Sequence, residues 1–359
     1  MTAMAKRNDP DVRHDAETIA ATLRRLSPDY EATPLIDLKA LAAQLGVAQV
    51  LAKDEGRRML GSFKSLGGTY AGLRALARTA GLDIAGLVAR KPSGLPALIC
   101  ASDGNHGLAV AAAARFAGAS ARVFLHSGVP AARARRIAAQ GAAIEWVNGT
   151  YDDAVDAAAA AARGEGAILV ADTTIDPADP VVNDVMAGYG VIAAEIRQQV
   201  EASGQDRPTH LFVQAGVGGL AAAMAAGLKD WMAEPVGVIV VEPAKAASVT
   251  AGLPHETPIR IAGDLETAAE MLSCGEASAP ALKILGRHGA HVITVSEDDL
   301  KAAPQLLKEM QGPATTPSGA AGLAGLSRTL EDNDGARFRL DATSRVLIVV
   351  SEGALGEET

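Results

Sequence analysis

The run ALICASDGNHGLAVAAAARFA, residues 97–117, decides the fold class. It opens with a short apolar segment, Ala97–Ala101, crosses a turn containing Gly104 and Gly107, and continues as an alanine-rich segment to Ala117. Continuous apolar character over so few residues, bounded by glycine, marks a strand buried on both faces, as in a parallel sheet. Alanine is the strongest helix former, so the second segment reads as a helix following that strand. The same alternation recurs outward in both directions. Strands are predicted at Val47–Lys53, Ala97–Ala101, Ala121–Leu125, Ile144–Val147, Ala167–Ala171, His210–Gln214, Gly237–Val241, His291–Val295 and Val346–Val350. Helices are predicted at Ser65–Ala80, Gly107–Ala117, Pro130–Gln140, Tyr151–Arg163, Val182–Ala202, Leu220–Lys229, Asp298–Met310 and Ser318–Thr329. Strand–helix–strand alternation implies parallel sheets with right-handed crossovers. The fold class is α/β.

A chain of 359 residues is long enough for two or three packed units around a large core. Aromatic residues make up only 3%, so that core is built from Ala, Val, Leu and Ile. The formal net charge of -9 argues against nucleic acid or an anionic membrane as the main partner, while leaving room for a small anion in a local pocket. The first twenty residues carry charges throughout and no apolar centre, unlike a secretory signal. The alanine runs Ala109–Ala114 and Ala157–Ala162 are far shorter than the roughly 20 residues needed to span a bilayer. A cytoplasmic location is the expectation. Two cysteines, Cys100 and Cys274, cannot form a disulfide framework; they read as thiols, with a single bridge between them left open.

Chemistry concentrates in three turns where a strand passes into a helix, the edge of an open α/β sheet at which ligands bind. In Gly61-Ser-Phe-Lys64-Ser-Leu-Gly67-Gly68, a lysine stands at a helix start, where the helix dipole disfavours a cation. Lys64 is either a solvated surface residue or an amine that sheds its charge to bond covalently. In Ser102-Asp103-Gly104-Asn105-His106-Gly107, glycine lets a ligand approach the backbone, and Ser102 and Asn105 can donate hydrogen bonds. This loop suits a carboxylate or a phenolic oxygen. No second His or Cys lies at ligand spacing from His106, so a hydrogen-bonded structural role is the better reading and no metal is expected. In Gln214-Ala-Gly216-Val217-Gly218-Gly219-Leu220, small residues suit either a phosphate cradle of backbone N–H groups or tight strand–helix packing. The full dinucleotide spacing and the P-loop lysine are absent.

Taken together and in this order, SFKSLGG, SDGNHG and QAGVGGL resemble the fold-type II pyridoxal phosphate (PLP) enzymes, the family of tryptophan synthase β and threonine dehydratase. The resemblance is closest to the diaminopropionate ammonia-lyases. It extends through PDYEATPL (28–35), KDEGRRMLGSFKSLGGTYA (53–71), ADTT (171–174), VMAGYG (185–190), VVEP (240–243), LSCGEAS (272–278), SGAAGLAGL (318–326) and VLIVVSEG (346–353). It implies that Lys64 bonds the cofactor, with Phe63 beside it, and that Asn105 donates to the ring 3-oxygen. Gly216, Val217, Gly218 and Gly219 would hold the phosphate, and Ser351 would face the pyridine nitrogen. A neutral hydroxyl there favours elimination over transamination. Ser102, Asp103, Gly104 and His106 would form the substrate loop. Threonine dehydratases usually carry a small residue where Asp103 stands, whereas the ammonia-lyases carry aspartate. Asp103 and Asp172 would join Lys64 as catalytic groups; otherwise Asp103 is a turn residue and Asp172 a helix N-cap.

The implied reaction is β-elimination on a small amino acid, 2,3-diaminopropionate foremost, giving pyruvate and ammonia. Alternatives are a dehydratase of a 3-hydroxy amino acid and a catalytically silent PLP-binding protein. One departure falls near the side-chain pocket: the family's aromatic-containing stretch after Asp172-Thr173 is here Thr174-Ile-Asp-Pro-Ala-Asp-Pro180. The fold implied is a larger domain of residues 1–78 and 179–359 with a smaller one, 79–178, inserted, the site lying between them. A homodimer is the family expectation.

Overall fold

The computed structural model describes residues 11–354 apart from Asp103, Glu165 and Asn333. The first ten of the twenty N-terminal residues read against a secretory signal therefore lie outside the described residues, as does Asp103. Among the described residues there are ten strands: β1 (Leu35–Asp37), β2 (Gln49–Asp54), β3 (Ala97–Ala101), β4 (Ala121–His126), β5 (Ala143–Val147), β6 (Ala167–Leu169), β7 (His210–Gln214), β8 (Gly237–Pro243), β9 (His291–Val295) and β10 (Arg345–Val350). They form two sheets, one of six strands in the order β1-β2-β10-β7-β8-β9 and one of four in the order β5-β4-β3-β6. All neighbours are parallel except β1, which runs antiparallel to β2 at the edge. The α/β class and the parallel sheets expected from the sequence are what the chain adopts.

Burial follows the period of two that a strand imposes. On β7, β8 and β10, Leu211, Val213, Val238, Val240, Leu347 and Val349 enter one core, while Phe212, Ile239, Val241, Val346, Ile348 and Val350 enter a second on the opposite face. The helices Lys64–Ala80, Pro180–Ser203 and Gly219–Leu228 cover the first face, and Glu297–Glu309 and Ala321–Glu331 cover the second. Leu98, Cys100, Val123 and Leu125 of the four-stranded sheet enter the first core too, so one apolar cluster runs continuously between the sheets. The far face of the smaller sheet packs on the helix Tyr151–Ala162 through Ile99, Phe124, Ala154 and Ala158.

Two elements depart from the sequence reading in ways that touch the site. The strand predicted to reach Ala171 ends at Leu169, because the chain turns away after Val170 donates its N–H to the Ile99 carbonyl at 2.7 Å. No helix follows it directly: the next begins at Pro180 with Asp179 as its N-cap, so Asp172 does not cap a helix. No disulfide joins Cys100 and Cys274. Among the described residues no helix is long and apolar enough to cross a membrane.

Candidate active site

Parallel strands send all their carboxyl ends the same way, and the three turns singled out in the sequence follow β3, β7 and the segment leading from β2. One cavity collects them. Lys64, Phe63, Asn105, Asp172 and Ser351 line it, as do Ser102, Gly104 and His106 and the loop from Gly216 to Gly219. The contributors come from both sheets, so the cavity lies at the crevice between them, where ligands bind in open α/β folds.

Lys64 is the first residue of its helix, and the turn before it is held by pairing with the chain beyond β10. Phe63 donates its N–H to the Ser351 carbonyl at 3.1 Å, Gly353 donates to Gly61 at 3.0 Å, and Ser62 bridges Glu352. The Lys64 amine pairs with the Asp172 carboxylate. Burial alone disfavours the charge on both, pulling the lysine down and the aspartate up. Each partner's charge outweighs that penalty, so Lys64 is raised above its ordinary range and Asp172 is held down at about 2.

The substrate loop is folded by its own serine. Ser102 Oγ accepts the N–H groups of Gly104 at 2.9 Å and Gly107 at 2.8 Å, which leaves its hydroxyl proton as the one group it can still donate. His106 is buried, and burial lowers its pKa, so the ring is neutral. Its Nε2 lies 2.7 Å from the Val170 carbonyl, which can only accept; the proton is therefore on Nε2. His106 thus ties this loop to the segment carrying Asp172, the hydrogen-bonded role read from the sequence. Asn105 begins the helix Asn105–Ala117, and its amide donates to Glu352.

The glycine loop ends at the helix Gly219–Leu228, whose first N–H groups have no intrahelical partner and no side-chain cap. Gly218 has φ +92, a conformation that a side chain would strain. Opposite, Gln214 Nε2 donates to Ser351 Oγ at 2.8 Å, so the serine oxygen is an acceptor towards the protein and its proton is free to be given to a ligand. Tyr189 supplies the remaining wall. Its ring stands 4.8 Å from Phe63 and crosses so near Gly67 that a Cβ there would lie 2.4 Å from it. Its buried hydroxyl has no protein partner.

Tyr189, Gln214 and Glu352 were not singled out from the sequence, although each lies in a quoted stretch; their neighbours are far along the chain, and nothing local marks them. Asp103 lies outside the described residues. The remaining set fits PLP: an amine for its aldehyde, an uncapped helix start for its phosphate, a hydroxyl to donate to a ring nitrogen, and an orphaned hydroxyl in the wall.

The family described as "Pyridoxal-phosphate dependent enzyme" matches residues 26–352. The chain is 33% identical to a diaminopropionate ammonia-lyase of Salmonella typhimurium, over 91% of this chain and 86% of that protein. It is 30% identical to the protein of the same name from Escherichia coli K12, over 83% and 76% respectively. The crystal structure of the holo diaminopropionate ammonia-lyase from Escherichia coli superposes with a TM-score of 0.86 at 28% identity, covering 98% of this chain and 91% of that one.

Proposed function

This chain belongs to the pyridoxal-phosphate dependent enzyme family, and on that footing we propose that it is a lyase that removes ammonia from 2,3-diaminopropionate. The single observation that carries the reading is the Lys64–Asp172 pair, a lysine amine held against a buried carboxylate inside the cavity. The substrate comes from the relatives of that name, which align over most of their lengths.

When bound, PLP bonds through its aldehyde to an amine and takes up the electron pair released as the Cα–H bond breaks. The protein's tasks follow. Lys64 is the residue assigned to the aldehyde, with Phe63 and Tyr189 beside it. The loop Gly216, Val217, Gly218 and Gly219 is assigned the phosphate, and Asn105 the ring oxygen. Ser351, whose oxygen accepts from Gln214 and whose proton stays free, would hold the ring nitrogen by a neutral hydrogen bond, which would leave it unprotonated and favour elimination. Asp172 changes character with its neighbour: beside a charged Lys64 it is ionised, and once that charge is given up, burial raises its affinity for a proton. An amine leaves only when protonated, and such a carboxyl can serve as its acid. Asp103 is assigned the second amino group or proton transfer on the opposite face. Ser102, Gly104 and His106 shape the carboxylate loop. Closure of residues 79–178 over the site would exclude water. In keeping with the family resemblance, we take the enzyme to be cytoplasmic and a homodimer, which light scattering of purified protein tests.

Product stoichiometry tests the reaction. Diaminopropionate loses its β-amine as ammonia, and hydrolysis of the released aminoacrylate gives pyruvate and another ammonia, two per pyruvate. Serine would give one. Across a panel of D- and L-diaminopropionate, serine, threonine and phenylserine, diaminopropionate should be the preferred substrate and should give the two-to-one ratio. Faster turnover of a hydroxy amino acid would make the chain a dehydratase, and no turnover of any of them would contradict lyase activity.

A further inference from the structure

Glu352 is a buried carboxylate beside the site, and both of its oxygens are engaged. Oε1 accepts the Thr316 hydroxyl at 2.5 Å, and Oε2 accepts the Asn105 amide. Its backbone is fixed as tightly: the carbonyl accepts from Thr315 at 2.5 Å, and the residue bridges Ser62 in the turn that presents Lys64. Glu352 therefore sits just beyond β10 of the six-stranded sheet, while Asn105 opens the helix that follows β3 of the other sheet. The contact spans the crevice.

The chemistry of the two groups makes the contact directional. An unheld carboxamide presents either its oxygen or its nitrogen to a given side, since the two ends differ little in shape. Burial raises the pKa of Glu352, against the Thr316 and Asn105 donors, which favour its ionised form; in that form the carboxylate only accepts, so it draws the nitrogen end of the amide and rejects the oxygen end. That nitrogen carries two N–H bonds. Glu352 takes one, and Asn105 lines the cavity, so the other is available to an acceptor there. We propose that Glu352 is a positioning residue: it fixes the Asn105 amide with its nitrogen towards the cofactor's phenolic oxygen, and does so across the crevice, so that the donor is set only when the two sheets are closed together. This rests on assigning Asn105 to the ring oxygen.

The test uses the holoenzyme and four variants: Glu352→Met, which keeps the volume and removes the acceptor, Glu352→Gln, Asn105→Ala, and Glu352→Met with Asn105→Ala. The visible absorbance band of the bound cofactor, its pH titration, kcat and KM are measured for each, together with the melting midpoint. Glu352→Met should shift the band and lower kcat about tenfold or more, the effect of one charge-assisted hydrogen bond, with little change in KM. Glu352→Gln should recover most of both, because its amide oxygen can face Asn105 while its nitrogen donates to Thr316. The double variant should be no worse than Asn105→Ala. Additive losses would overturn the proposal while leaving Asn105 a cofactor donor. A spectrum and kcat unchanged in Glu352→Met, with only the melting midpoint lowered, would show a purely structural carboxylate. If Asn105→Ala alone leaves the band unmoved, the ring-oxygen assignment fails and the proposal with it.

Discussion

Asp172 acts through the company it keeps. Burial alone would push its carboxyl up; against the Lys64 ammonium it is held at about 2. Replacing it with asparagine keeps the shape and removes the proton acceptor. Asp172→Asn should therefore lower kcat by about 10²–10⁴, the usual contribution of a general acid or base, while an absorbance titration still shows stoichiometric cofactor. Wild-type turnover in that variant would exclude Asp172 from proton transfer. At this scale the sequence told much about Lys64, Asn105 and the glycine loop, because each sits in a local signature of glycine, helix start and polar group. It told little about Tyr189 or Gln214. Their importance comes from an unpartnered hydroxyl in a wall and an amide that turns Ser351 outward, and both depend on residues more than a hundred positions away.

Between β2 and the Lys64 helix the chain is anchored by buried charge. Lys53 donates to Glu195 at 2.7 Å and to the Thr33 carbonyl at 2.8 Å. Arg58 grips Glu195 through two nitrogens, at 2.9 and 2.6 Å, and Glu55 through two more contacts at 2.8 Å. Two cations thus face two carboxylates, all fully or almost fully buried, tying β2 and the turns after it to the helix Pro180–Ser203. Removing one carboxylate leaves an uncompensated charge in the interior. Glu195→Gln should cost about 3–5 kcal/mol in a denaturant melt, whereas Arg122→Ala, which breaks the half-exposed pair with Glu145, should change stability by no more than about 1 kcal/mol. Equal, small effects would mean that the network is not what fixes the turn. Among the elements, long apolar strands and alanine-rich helices were legible because period and length agree. The short edge strand β1 was missed, its three residues being only half buried. The helix Asp11–Leu26 was also overlooked: its charges dominate a linear reading, although Ala16, Ile19, Ala20 and Leu23 repeat at helical spacing and are buried.

Across the whole molecule, two parallel sheets share one apolar cluster and aim their carboxyl ends at a common crevice. That convergence gathers residues from as far apart as Phe63 and Ser351 into one cavity, and it follows from topology rather than from any single motif. Sequence order alone gave the alternation and hence the parallel sheets; the sharing of one core between them emerges only from packing. The central claim is that the crevice holds PLP on Lys64. Borohydride reduction of the purified holoenzyme, followed by peptide mass spectrometry, tests it directly, since reduction makes the bond between cofactor and amine permanent. The account predicts one phosphopyridoxyl group per chain, on Lys64. A group carried on any other lysine, or none on a protein that retains its cofactor absorbance, would contradict it.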